Sequence, residues 1–272
     1  MPEIAEVETV RRVLKGQILN KKIVKVDVFY PKMIESDLKD FQTKLINESF
    51  IDILRKGKYL IFELNNYYLL SHLRMEGKYF VKDINDAKDK HEHVIFTFSD
   101  NITLRYADVR KFGKMKLINK NQLEDDEDLK KLGIEPIDSS LSAKYLIEKF
   151  KKKNLPIKTV LLDQSIIAGL GNIYADEVLF KSGINPLKKA CDINEDEAKK
   201  ICLSSKEIIE KAIEYKGTTI RSYTSSLGVK GNYQDFLSVH TKEGEKCKNC
   251  NTIIKRIKVN GRSTYYCPNC QK

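Results

Sequence analysis

The chain has 272 residues, with 49 Lys and Arg against 38 Asp and Glu and a formal net charge of +11. That length buries a sizeable core in one large domain or two ordinary ones, and at 41% hydrophobic residues the excess of cations belongs to a folded protein, not a disordered tail. No apolar run nears the roughly 20 residues of a bilayer span, and the opening MPEIAEVETVRRVL has no signal-peptide core, so the expectation is a cytoplasmic protein, monomeric by default, whose partner is a polyanion, nucleic acid ahead of an anionic membrane surface.

In chain order, Ile4, Val7, Val10, Leu14 and Ile18 recur at spacings of three and four and predict an amphipathic helix at the start. From Lys22 to about Asn119 the pattern becomes that of strands. KIVKVDVFY, KYLIFEL, YYLLSHL, HVIFTFS and ITLRYA are short, rich in β-branched and aromatic residues, and separated by turns such as Asn65-Asn66 and Ser99-Asp100-Asn101. Strands in succession without helices between them predict an antiparallel sandwich. The polar stretch Asn119–Ser140, with EDDED and Pro136, is expected to be a linker whose acidic run is solvated surface. Beyond it the period is helical. Leu141–Lys152 forms one helix, Pro156 suits the first position of the next, and IIAGLGNIYADEVLF breaks at Gly169 and Gly171 before resuming as a helix that ends near Gly183. Asn194 with Glu197 resembles a capping box for a helix reaching Tyr215, with Gly217 as its stop. The segment 217–238 is polar, glycine-containing, aperiodic and longer than most loops inside a compact domain, which points to function. The solitary Cys191 and Cys202 are expected to pack on helices.

The other four cysteines are spaced Cys247-x2-Cys250-x16-Cys267-x2-Cys270, which suits four thiolates on one tetrahedral zinc ion, with a hairpin turning at Asn260-Gly261 between the two pairs. Four cysteines leave no open position for water, so the zinc is expected to be structural. The hairpin carries Lys255, Arg256, Lys258 and Arg262, cations that a metal-stiffened scaffold can hold at phosphate spacing. At the other end, Pro2 becomes a secondary amine once Met1 is removed, and Glu3 and Glu6 lie one turn apart beside it. By themselves those two carboxylates also answer to the helix dipole.

The segments PEIAEVETVRRVL, HLRMEGKY, ADVRKFGKM, DQSIIAGLGNIYADEVLF and GRSTYYCPNCQ together resemble formamidopyrimidine-DNA glycosylase, in that family's order and approximate spacing. Ile4-Ala5 departs from the Leu-Pro more usual there, at positions not expected to do chemistry. The resemblance implies an α+β multidomain fold: an N-terminal helix plus antiparallel β-sandwich, then a helical helix-two-turns-helix domain with a C-terminal four-cysteine zinc β-hairpin. The expected boundaries are 1–132 for the catalytic part, 133–155 for a linker and first helix, 156–238 for the helix-two-turns-helix domain with a lesion-recognition loop at 217–238, and 239–272 for the zinc finger.

It also implies a bifunctional glycosylase and AP lyase acting on duplex DNA that carries oxidised purines. Pro2 would be the nucleophile at the sugar, Glu3 the proton donor and Glu6 a supporting group. Lys58 and Arg262 would contact phosphates and donate protons, and His72, Lys158 and Asn172 would be further DNA contacts. Met75, Arg110 and Phe112 would fill the space that the flipped nucleotide leaves, as a wedge-and-donor set does. Glu76, Thr218, Ile220, Arg221, Ser222 and Tyr223 would surround the lesion, and Cys247, Cys250, Cys267 and Cys270 would hold the zinc. Two other readings compete. An enzyme of the endonuclease VIII type prefers oxidised pyrimidines, and VETVRR with the Met75, Arg110, Phe112 set favours the purine enzyme. A non-catalytic zinc-ribbon nucleic-acid-binding protein accounts for charge and zinc but leaves Pro2, Glu3 and Lys58 unexplained.

Overall fold

The apolar stripe at the start of the chain folds as α1, Ile4–Ile18. Ile4, Val7, Val10, Leu14 and Ile18 are all buried, each such side chain contributing about 1.5–3 kcal/mol by leaving water. The structure, a computed structural model, describes residues 1–218 and 231–272, which form two units: Met1–Lys130 with Lys216–Asn232, and Lys131–Tyr215 with Tyr233–Lys272.

In the first unit α1 is followed by β1 (Ile23–Val28), α2 (Leu38–Lys44), β2 (Asp52–Lys56), β3 (Tyr59–Glu63), β4 (Tyr67–His72), β5 (Lys78–Asp83), β6 (Glu92–Phe98), β7 (Ile102–Ala107) and β8 (Lys114–Asn119). The strands make two four-stranded antiparallel sheets, ordered β1-β6-β7-β5 and β2-β3-β4-β8. A single core joins α1 to both sheets, with Val26, Phe96 and Leu104 from one and Ile53, Phe62 and Leu69 from the other. Phe50 stands edge-on to Phe62 and Phe98, with ring centres 5.4 and 5.9 Å away.

Two expectations need correcting here. The run of strands is interrupted by α2, because Asp37 accepts the Asp40 N–H at 2.8 Å and Phe41 is buried. The acidic run is not all solvated surface. Asp126 is buried, takes the Lys116 ammonium at 2.5 Å, and accepts the N–H groups of Asp128 and Leu129 at the start of α3 (Glu127–Lys130). Strands β2, β5 and β8, all sheet edges, escaped the sequence pattern because Lys, Arg and Asp interrupt their apolar alternation.

The second unit holds α4 (Ala143–Phe150), α5 (Ile157–Leu161), α6 (Asn172–Ser182) and α7 (Glu195–Glu214), then the hairpin β9 (Lys255–Val259) and β10 (Arg262–Tyr266). Pro156 is the N-cap of α5, one place before the expected position. Gly183, at φ 72°, ends α6 in the left-handed conformation that costs glycine nothing. Both bonds of the α7 capping box form: Asn194 Oδ1 accepts from the Glu197 N–H at 2.9 Å, and Glu197 Oε2 from the Asn194 N–H at 3.0 Å. Cys202 lies on α7 as expected, where burial pushes its thiol pKa up, whereas Cys191 lies in a 3-10 turn; both are partly buried.

On α1, the buried Glu8 carboxylate takes Arg11 at 2.9 and 2.8 Å, Arg12 at 2.7 Å and Arg55 of β2 at 3.1 Å. Burial alone would raise its pKa, but the hydrogen bonds from Arg11 and Arg12 and the charges of Arg11 and Arg55 outweigh it and hold the group at about 2, against 4.5 ordinarily. A depressed folded pKa means that the stabilisation is complete above about 4.5 and is lost as pH falls toward about 2. Urea titrations should show stability falling across that window. The Glu8→Gln variant should be less stable at neutral pH and respond less steeply below 4.5; parallel profiles would contradict the assignment.

Candidate functional site

Pro2, Glu3 and Glu6 are all buried at the start of α1. Glu3 is the N-cap and Glu6 the third helical residue, and they form a reciprocal capping box in which Glu6 Oε2 accepts the Glu3 N–H at 2.8 Å. The other oxygen of Glu6 accepts both the N–H and the hydroxyl of Thr218, at 2.7 and 3.0 Å. Gly217 packs so closely here that a Cβ would lie 2.6 Å from Glu6 Oε1, and its φ of 75° independently calls for glycine. One buried carboxylate thus ties the residues beside Pro2 to the start of the expected lesion loop at Thr218. Of that loop's other named residues, Ile220, Arg221, Ser222 and Tyr223 lie outside the described residues.

Lys58 occupies the two-residue turn Gly57-Lys58 between β2 and β3, with Lys56 paired to Tyr59. Gly57 has φ 56°, which this kind of turn demands at its first central position. Tyr59 pairs across the sheet with His72, ring centres 4.6 Å apart. Burial first, then the charges of Arg74 and Lys58, push the His72 imidazole down to about 3. Its Nδ1 accepts the Arg74 N–H at 3.0 Å, so the neutral ring carries its proton on Nε2 as a donor suited to a phosphate oxygen.

The three residues expected to enter a base stack sit on two loops with strained backbones. Met75 follows Arg74 (φ 53°), and Arg110 and Phe112 flank Lys111 (φ 58°). Phe112 is 50% exposed, so it is not a core residue, and the Arg110 guanidinium lies over its ring at 4.8 Å. Asp108, which sequence reasoning missed, organises this loop. Its buried carboxylate accepts the N–H groups of Arg110 at 2.9 Å, Phe112 at 2.9 Å and Gly113 at 2.8 Å. The signal was the Asp two places before Arg110, the spacing of an Asx turn. A Cβ on Gly77 or Gly113 would meet the Tyr106 hydroxyl at 2.1 or 1.7 Å, so both loops close on the same buried ring. Glu76 lines a cavity of roughly 350 Å³ with Lys78, Phe80, His91, Asp108 and Val109.

In the second unit Asn172 is the first residue of α6, where backbone N–H groups have no intrahelical partner. Its side-chain Nδ2 donates to the Ser263 carbonyl at 2.8 Å, joining the helix start to the hairpin strand that opens with the exposed Arg262. Lys158 departs from expectation. Its side chain is fully buried, with the ammonium paired to Asp176 and donating to the Asn172 carbonyl at 3.0 Å. Asp176 also takes His240 Nδ1 at 2.6 Å, and the next residue, Glu177, accepts the N–H groups of Ser238, Val239 and His240 at 2.8, 2.9 and 2.9 Å. Neither acid was singled out in the sequence, where NIYADEVLF shows them only as polar positions of a helix.

The sulfurs of Cys247, Cys250, Cys267 and Cys270 all lie within 4.8 Å of one another, with Cys247–Cys270 at 3.8 Å and Cys250–Cys267 at 3.4 Å. A tetrahedron of Zn–S bonds near 2.3 Å has edges of about 3.8 Å, so this donor set fits zinc. The hairpin turn at Asn260-Gly261 has φ of 44° and 74°, the left-handed pair that such a turn requires. Among the described residues no helix is long and apolar enough to cross a membrane.

Three family models match successive parts of the chain: the formamidopyrimidine-DNA glycosylase N-terminal domain over residues 1–115, the H2TH domain of the same enzymes over 132–224, and the zinc finger found in FPG and IleRS over 244–272. Formamidopyrimidine-DNA glycosylases of Lactobacillus gasseri and Streptococcus mutans are 45% and 46% identical over 272 residues, covering 100% of this chain and 99% and 100% of theirs. A Lactococcus lactis FPG mutant in complex with a Fapy-dG containing DNA superposes with a TM-score of 0.95 at 42% identity, covering 100% of both chains. The L. lactis enzyme with an abasic site containing DNA gives 0.94 at 42%, covering 99% of each. The fold and its sites define a bifunctional enzyme of DNA base-excision repair, a glycosylase that is also an AP lyase, with one structural zinc held by the four cysteines. The chain belongs to the formamidopyrimidine-DNA glycosylase family.

Because zinc supplies folding energy to such a module, Cys250→Ser should lose the metal and the hairpin's structure together, read by metal analysis and amide NMR; full zinc content with an ordered hairpin would refute the ligand set. For His72, nitrogen NMR at about pH 5 should show a neutral ring protonated on Nε2. A ring doubly protonated at that pH would overturn the tautomer inferred from the Arg74 contact.

Proposed function

We propose that this enzyme excises oxidised purines, 8-oxoguanine and formamidopyrimidines, from duplex DNA through a covalent intermediate on Pro2, and cleaves the abasic strand by β,δ-elimination. The observation that carries the reading is the Glu6 carboxylate, which accepts hydrogen bonds from Glu3 at 2.8 Å and from Thr218 at 2.7 and 3.0 Å, so that a lesion-side segment and the residues flanking Pro2 share one anchor. The Fapy-dG and abasic DNA bound by the L. lactis relatives support the same substrate class.

Removal of Met1 converts the tertiary amide nitrogen of Pro2 into a secondary amine. An α-amino group titrates near 8 against about 10.4 for lysine, so at about pH 7.5 roughly a quarter is neutral compared with about 0.1%. The amine attacks C1′ as the C1′–base bond breaks, and Glu3 protonates the ring oxygen so that the sugar opens to an iminium. The iminium acidifies C2′, and loss of that proton expels the 3′ phosphate and then, after a further proton loss, the 5′ phosphate. In this reading Lys58, His72 and Arg262 hold phosphates, Asn172 acts from the helix start, and Met75, Arg110 and Phe112 fill the vacated stack. Residues 1–132 supply the chemistry, while 156–238 and the zinc finger, 239–272, grip the duplex.

Borohydride should trap a protein–DNA adduct that maps to the N-terminal peptide, on 8-oxoguanine opposite cytosine and on abasic duplexes. Pro2→Gly, or one extra residue ahead of Pro2, should abolish trapping and strand cleavage, and Glu3→Gln should remove most base excision while lesion binding persists. Normal trapping by an N-terminally blocked protein would transfer the nucleophile's role to Lys58, and cutting confined to oxidised pyrimidines would favour the endonuclease VIII reading.

A further inference from the structure

Arg55 has two contacts that the established activity does not explain. From β2 its Nε donates to Glu8 Oε2 on α1 at 3.1 Å, while its NH1 reaches forward to the Gly57 carbonyl at 3.0 Å. Both side chains are shielded, 7% exposed for Arg55 and 8% for Glu8. Gly57 is the residue immediately before Lys58, and the two together make the whole turn between β2 and β3. Glu8 in turn lies two residues after Glu6 and five after Glu3 on the same helix. A single guanidinium therefore ties the helix that carries the N-terminal carboxylates to the peptide that aims Lys58.

We infer that Arg55 is a positioning residue for the reaction, setting Lys58 relative to the start of α1 through Gly57 on one side and Glu8 on the other. The inference rests on the reading of Lys58 as a phosphate-holding group. Packing alone does not specify this alignment. The apolar stripe of α1 fixes which face of the helix meets the sheet, but a hydrophobic contact tolerates small slides along the helix axis, whereas a planar fork with two acceptors does not. Replacing a buried ion pair as a whole by apolar side chains is often neutral for stability, so packing does not by itself require this one. Arg11 repeats the theme nearby, binding Glu8 at 2.9 and 2.8 Å and the Ile53 carbonyl of β2 at 3.0 Å. With Arg11 and Arg12 still on its carboxylate, Glu8 is not left as a lone buried charge when Arg55 is replaced.

The test is a double-mutant cycle between Arg55→Met and Lys58→Gln, read as single-turnover strand cleavage of an abasic duplex, with the melting temperature and duplex affinity of each protein measured alongside. Methionine keeps the apolar stem and removes the fork. Arg55→Met should slow cleavage roughly tenfold in the parent protein, the scale expected of a sub-ångström misplacement, and by no more than about twofold when Lys58 is already Gln. Equal factors in both backgrounds would show that Arg55 acts on the fold in general and would overturn the inference. Should Arg55→Met not fold, Arg55→Lys serves in the same cycle, since one ammonium cannot bridge Glu8 and the Gly57 carbonyl as the fork does. A Lys58→Gln protein that cleaves normally would sink the reading of Lys58 itself, whereas a slow Lys58→Gln with additive Arg55 losses would sink only the positioning role.

Discussion

The Glu6 carboxylate is the joint on which the catalytic unit turns. It accepts the Glu3 N–H with one oxygen and the N–H and hydroxyl of Thr218 with the other, in a buried setting where an unpaired charge would be expensive. Three donors on one carboxylate satisfy it, and the N-terminal end of α1 contributes its dipole as well. The positions around it are constrained in turn. Gly217 has room for no side chain against Glu6, and a Cβ on Gly231 would lie 2.4 Å from the Gly217 carbonyl, so these two glycines approach closely. Glu6 gains its importance through what it holds, which is why its chemical role was expected to be support.

The second unit uses the same device with different partners. Adjacent acids on α6 divide the work. Asp176 binds the Lys158 ammonium and His240, while Glu177 takes three successive backbone N–H groups from Ser238 to His240. Burial by itself pushes Glu177 upward, and the three N–H donors oppose it. The chain entering the zinc module is thereby pinned to the helix that starts at Asn172, and the Asn172 amide closes the link on the far side at Ser263. The zinc cluster stiffens the hairpin internally; the α6 acids decide where it stands relative to the helix start. Polar groups in both units thus act as fasteners between elements that apolar packing has already brought together.

Most of the regular structure was legible because it rests on local pattern. The stripe of α1, the capping box at Asn194 and Glu197, the left-handed stop at Gly183, and the Asn260-Gly261 turn each depend on residues a few places apart, whereas α7 turns left-handed already at Lys216, φ 63°, one residue before the expected Gly217. What escaped was the edge strands β2, β5 and β8 and the short α2, where charged residues or brevity mask the period. The zinc ligands were readable for the same reason as the caps, since two CxxC pairs carry most of their geometry within four residues.

For the site, the sequence by itself determined the residue types and the family resemblance: a proline next to Met1, carboxylates one turn apart, and four cysteines at metal spacing. Only the tertiary structure decided which charges face outward. Lys158 looks like any basic residue until Asp176, 18 positions later, is folded against it, and Asp126 looks solvated until Lys116 of β8 reaches it. Glu8 and Arg55 likewise meet through a contact between residues 47 positions apart, which no local period encodes. Burial and pairing are properties of neighbours distant in the chain, and for ionisable groups the cost of desolvation makes those neighbours decide whether a charge binds DNA or holds the protein together.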